Sequence, residues 1–196
     1  MNSEAATPAY GFELLERAIT YALGSLSLVT PEAMASPTPC RDWDLAALLA
    51  HADDSLSALH EALGTGHVAL NEQTAPGDDL VAGVRDRARR LLAACSAPDG
   101  DRLIMIDDCP LPIGFLTGTG ALEITVHGWD IARSCGHDRP IPPGLAEGIL
   151  ELCPLVVADL DRPARFAAPA EVPPGAGPGD RLIAFLGRPG GGPAPA

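Results

Sequence analysis

At 196 residues, with 13 basic and 26 acidic side chains and a net charge of −13, the chain is a poor candidate for binding nucleic acid, which depends on clustered positive charge. Every basic residue is arginine. No run of 18 apolar residues occurs, and the start MNSEAATPAYGFELLE lacks the basic and apolar blocks of a secretory leader, so no membrane partner is expected and the cytoplasm is the expected location.

The length suits a single domain over residues 1–187, followed by a Gly/Pro-rich tail, 188–196, expected to be disordered. Within YGFELLERAITYALGSLSLV, Phe12, Leu15, Ile19, Leu23 and Leu26 recur at threes and fours, which predicts a helix ended before Pro31. After the loop TPEAMASPTPCRDW, the segment DLAALLAHADDSLSALHEALG carries an apolar stripe at Leu45, Leu48, Leu49, Ala52, Leu56, Leu59 and Leu63. Asp42 or Asp44 is placed to cap this second helix, and Gly64 and Gly66 to stop it.

GDDLVAGVRDRARRLLAACSA places acids at its start and arginines toward its end, as a helix dipole favours. Its Arg85, Arg87, Arg89 and Arg90 alternate with Asp86 and Ala88 and read as a solvated face. RLIMIDD suits a short strand, and Pro110 and Pro112 mark a loop.

A fourth long helix is expected over GFLTGTGALEITVHGWDIARSCG, although Gly114, Gly118, Gly120 and Gly128 weaken it, which calls for a backbone or ligand in close approach. PPGLAEGILELCPLVVADL is a fifth, kinked or ended by Pro154. RPARFAAPAEVPPGAGPGD reads as extended and turn-rich, and RLIAFLG as a short helix. The sum is an all-α domain whose four main helices form a bundle. Cys40, Cys95, Cys109, Cys135 and Cys153 contain no C-x-x-C pair, and their odd number argues against a disulfide framework.

Glu123 and His127 lie four apart, hence on one helix face about 6 Å from each other, and can address one ion. A third ligand must come from elsewhere. His51, in mid-helix beside the Leu/Ala stripe, is the strongest candidate, since His60 lies on a mixed face and His67 and His137 lie in loops. Two histidines and one carboxylate leave room for water or substrate, the pattern of catalytic zinc, though the same set also holds iron or nickel. Against this stands a plain alternative: His127 bonded inside the core and Glu123 exposed.

Asp130, three residues past His127, is placed to accept a hydrogen bond from a ligand and orient it. Arg133 is a candidate contact for an anionic substrate, with a surface role as its alternative, and Trp129 reads as a core anchor. Asp53 and Asp54 are turned roughly 200° and 300° from His51 on the helix and read mainly as surface charge.

The segment PTPCRDWDLAALLAHADDS resembles the P-T-P-C-x-x-W-x-x-x-x-L-x-x-H signature of the DinB-like superfamily, in its branch of mycothiol-dependent maleylpyruvate isomerase N-terminal domains. EITVHGWDIARSCG resembles the second signature of that branch, E-x-x-x-H-x-W-D-x-A-x-x-x-G, and PGDRLIAFLGRPG is similar to the ending of a short metal-binding subgroup. The resemblance implies a DinB-like four-helix bundle and a divalent metal, usually zinc, held by His51, Glu123 and His127. It also implies a low-molecular-weight thiol, mycothiol or bacillithiol, used for isomerisation or transferred to a substrate. The maleylpyruvate isomerases carry an additional C-terminal domain that contributes to the active site, and none is expected within these 196 residues.

Three functions are therefore in play: a metal-dependent thiol enzyme, a metal-dependent hydrolase of a small substrate, and a metal-binding protein without catalysis. For the first, the expected partners are a small-molecule thiol and an electrophilic substrate, with a homodimer as a possible assembly.

Overall fold

A computed structural model describes residues 8–40, 42–68, 79–95, 102–157, 162 and 166–188. Four helices form the body: α1 (Pro8–Leu26), α2 (Leu45–Thr65), α3 (Leu80–Cys95) and α4 (Ile113–Ser134). A 3-10 turn, Pro31–Ala35, lies between α1 and α2. Helix α1 packs on α4 and α3, and α2 packs on the same two, so the four close a ring around one apolar core. Helices α5 (Pro143–Val156) and α6 (Pro178–Phe185) follow, α5 against α4 and α1, and α6 against α5.

The sequence pattern explains where these helices begin and what they bury. Asp44 caps α2, its Oδ1 accepting the Ala47 N–H at 2.8 Å, while Gly66 ends the helix at φ 76°. Asp79 does the same for α3 by accepting from Ala82 at 3.0 Å. Leu15, Ile19 and Leu26 of α1 and Leu45, Leu48 and Leu49 of α2 belong to this core, with at most 1% of their surface exposed. Burial of side chains this large stabilises by about 1.5–3 kcal/mol each.

The close approach expected at the glycines of α4 is made by three helices: Leu59 of α2 faces Gly120, Leu152 of α5 faces Gly118, and α1 faces Gly114 and Gly128. A Cβ on Gly128 would stand 3.2 Å from the Ala22 Cα and from the Tyr21 ring, and one on Gly11 would meet the Gly114 carbonyl. No helix among the described residues is long and apolar enough to cross a membrane.

Several expectations need correction. A small sheet accompanies the helices: β1 (His67–Val68) runs parallel to β2 (Leu103–Ile106), which pairs antiparallel with β3 (Cys109–Pro112). The prolines read as a loop thus sit in a strand, which is possible because β3 is an edge.

Arg87 is not on a solvated face, nor is Asp53 surface charge. The guanidinium grips Asp53 through Nε and Nη2 at 2.7 and 3.1 Å and ties α3 to α2. Each charge satisfies the other, so Asp53 tolerates burial and Arg87 partial burial. Arg188, expected in the tail, is buried in the body; residues 189–196 lie outside the described residues. Helix α5 ends at Val156, two residues past Pro154, in keeping with a helix that Pro154 ends; residues 158–160 of the expected segment lie outside the described residues.

Candidate metal centre

His51 stands seven residues past the capped start of α2, on the side facing α4. There it meets Glu123 and His127, which α4 presents one turn apart. His51 Nε2 lies 2.6 Å from Glu123 Oε1, and His127 Nε2 lies 3.1 Å from the same oxygen. One donor atom from each residue falls within 4.8 Å of the other two. The imidazoles are nearly perpendicular, at 81°, with centroids 5.0 Å apart, so both ring edges address one point. Trp43 backs this pair, its ring 4.9 Å from that of His51.

A second layer fixes His127. Its Nδ1 is 3.1 Å from Oδ2 of Asp130, which is wholly buried. Asp130 is gripped by Arg188, from Nε to Oδ1 at 2.8 Å and from Nη2 to Oδ2 at 2.7 Å. Cys40 completes the layer, with Sγ 3.3 Å from Asp130 Oδ2 and 3.2 Å from Arg188 Nη2.

Local chemistry brings both newcomers in. At the end of α6 the Gly187 N–H bonds the Ala184 carbonyl and the Arg188 N–H bonds that of Ile183, with Gly187 at φ 74°. This is the glycine-terminated helix end that turns the chain sharply, here sending Arg188 toward Asp130. Ahead of α2, the Cys40 N–H bonds Thr38 Oγ1 at 3.1 Å and Asp42 takes φ 67°, a tight loop that aims Cys40 at α4.

The electrostatics follow from this packing. Burial works against ionising Glu123, but hydrogen bonds from His127 and His51 outweigh it and hold the carboxyl well below the usual range. For Asp130, burial is likewise overcome by the Arg188 guanidinium and by His127, and its pKa is lowered. Burial also disfavours a charged His127, yet Asp130, Cys40 and Glu123 together raise its pKa well above that of an ordinary imidazole. The trio therefore presents negative potential that calls for positive charge at the imidazole Nε2 atoms, and a divalent cation supplies that as a proton does.

The residues fit such an ion. Two imidazole nitrogens and a carboxylate oxygen are the donors of open zinc sites, and an Nδ1 held by a carboxylate leaves the Nε2 lone pair for a metal. Cys40, His127 and Asp130 also bring donor atoms close enough to share an ion. There, however, the Arg188 guanidinium already supplies the positive charge, touching both the thiol and the carboxylate.

His51, Glu123, His127 and Asp130 are thus brought together. Arg133 is not among them. Six residues past His127, it is turned about 120° from it on the helix. Its guanidinium lies 5.6 Å from the Trp129 ring and 3.6 Å from Asp138. Cys40, Trp43 and Arg188 were missed as site residues, although all three stand in the quoted stretches PTPCRDW and LGRPG.

Fold and site define a helical bundle with a cluster of possible metal ligands between two of its helices. Residues 15–132 match the family described as the mycothiol maleylpyruvate isomerase N-terminal domain, and the chain belongs to that family. The matched span runs from α1 into α4 and includes the whole donor trio. The chain is also similar to uncharacterized proteins of Mycobacterium tuberculosis, strains CDC 1551 / Oshkosh and ATCC 25618 / H37Rv. Each is 29% identical over 170 residues, covering 83% of this chain and 89% of the relative. No solved structure matches the chain.

Proposed function

We propose that this protein is a metal-dependent enzyme that uses a low-molecular-weight thiol, mycothiol or a close analogue, to isomerise an electrophilic small molecule or to join that thiol to it. The observation that carries the reading is the convergence of His51, Glu123 and His127 on one point within 4.8 Å, in a chain of this family. His51, Glu123 and His127 would hold a divalent ion, zinc in this reading, which would supply the positive charge that keeps a coordinating thiol as thiolate near neutral pH.

The chain's own residues divide the remaining work. Asp130 takes the His127 Nδ1 proton as its hydrogen-bond partner and so selects the tautomer whose Nε2 is free to donate its lone pair. Arg188 keeps Asp130 ionised and stationary. Trp43 packs on His51 and restricts the swing of its ring. Among the described residues three donors converge at this trio, so a divalent ion held there would have room for an outside sulfur or oxygen.

The test is zinc-loaded protein incubated with mycothiol and monochlorobimane, with the thioether product followed by mass. The reading expects product formation that exceeds the uncatalysed rate and is lost in His51→Ala. Equal rates with and without the protein, together with no heat of binding when the thiol is titrated in, would favour hydrolysis or metal binding alone.

A further inference from the structure

We infer that Trp43 touches the ligand of this site: a small thiol reaches the donor trio from its solvent side and lays the carbons next to its sulfur against the indole, an assignment that rests on the thiol-enzyme reading for the choice of ligand. The trio has two sides. Toward the bundle interior, α1, α2, α3 and α4 leave a void of about 20 Å³ beside Glu123 and His127, room for roughly one water. Leu26, Leu56, Val84 and Ile131 wall it, and neither His51 nor Trp43 borders it. That side admits nothing larger. On the other side the trio meets solvent, for the side chains of His51 and Glu123 keep 36% and 32% of their surface exposed, against 10% for His127. A ligand therefore arrives over His51 and Glu123.

Trp43 stands beside this approach. Its ring lies 4.9 Å from that of His51 and 6.2 Å from that of His127, tilted by 47° and 35°, so one flat surface flanks both imidazoles without lying flush on either. The residue is only partly buried, which leaves some of the indole for a ligand to cover. The loop that carries it is braced. Its N–H donates to the Cys40 carbonyl at 3.3 Å, and its carbonyl accepts from the Thr38 N–H at 3.2 Å and from the Thr38 hydroxyl at 3.0 Å. The Leu45 N–H, bonded to the Ser36 carbonyl at 3.0 Å, closes the base of the loop. A side chain ordered in advance costs little entropy when a ligand packs on it, and an indole offers more apolar area than any other side chain could at this place. The ring is neutral and leaves the charge of the donor trio as it is, so its part is to hold carbon beside the donor atom.

The test uses the full chain labelled with ¹⁵N-tryptophan, which gives two indole signals, one from Trp43 and one from Trp129 in the core. Trp43→Phe assigns them. Zinc-loaded protein is titrated with mycothiol, and zinc affinity is measured separately on the same samples. The expected result is a saturable shift of the Trp43 signal larger than that of Trp129. Trp43→Ala should bind the thiol about threefold to tenfold more weakly, with a smaller change in zinc affinity, and Trp43→Phe should recover part of the loss. Trp43→Leu gives the same comparison should the alanine variant fold poorly. A thiol bound as tightly by the alanine or leucine variant as by the wild type, or one that leaves the Trp43 signal unmoved, would overturn the proposal. So would a loss of thiol affinity matched by an equal loss of zinc affinity, which would assign Trp43 to packing on His51 alone. Zinc binding without any thiol binding sinks the thiol-enzyme reading and this contact with it, a result distinct from a bound thiol that ignores Trp43.

Discussion

Asp130 has no exposed surface, yet it serves three groups at once: the Arg188 guanidinium, the His127 ring and the Cys40 thiol. Neutralising it in Asp130→Asn leaves Arg188 buried without its counter-ion, a change that destabilises proteins by about 3–5 kcal/mol. It also removes the charge that orients His127, so zinc affinity should fall roughly 10–100-fold. Denaturant unfolding and zinc titration read the two effects independently. Arg188→Lys keeps the charge but not the fork that spans both oxygens, and it should retain more of the zinc affinity than Asp130→Asn does. Unchanged affinity in Asp130→Asn would mean that His127 is oriented by its packing alone.

Between elements, the contact that governs the bundle is the one between α1 and α4. Ala22 and Tyr21 press on Gly128, so a larger side chain there meets backbone as well as a ring. Gly128→Val is therefore expected to destabilise by about 1–3 kcal/mol through overpacking, because the backbone of α1 cannot shift cheaply. Thermal unfolding measures it, and a gain in stability would show that α1 can move.

The same helix carries a pH-dependent contribution. Burial raises the Tyr21 pKa to about 12 despite the nearby Arg139, and the phenol donates to the Arg139 carbonyl at 2.7 Å. A folded-state pKa above the ordinary value of 10.0 means that this stabilisation is complete below pH 10 and is lost as the pH rises toward 12. Tyr21→Phe should flatten that part of the stability profile. A profile that keeps the same slope would assign the alkaline loss to other groups.

Across the whole molecule, what the sequence revealed was what local pattern encodes. The stripe Leu45, Leu48, Leu49 and the cap Asp44 could be read because periodicity and capping act within one or two turns. Glu123 and His127 were legible for the same reason. His51 was legible only by elimination among the histidines, a choice with which the resemblance agrees, since nothing local says which helix faces which.

The pairs that escaped notice join distant parts of the chain: Asp53 with Arg87, and Asp130 with Arg188 and Cys40. A buried ion pair of this kind looks like two surface charges until the partner helix is in place. The edge strand β3 was hidden by its own prolines, which a strand accepts only on a side that needs no N–H.

The central claim is that α2 and α4 together hold one divalent cation. Its most direct test is zinc titration of the intact chain beside His51→Ala, Glu123→Ala and His127→Ala, with folding of each checked by circular dichroism. The account predicts about one zinc per chain in the wild type, and in each variant a weakening beyond the roughly 10–100-fold that loss of a supporting group causes. Undiminished stoichiometry and affinity in the folded His51→Ala variant would contradict it.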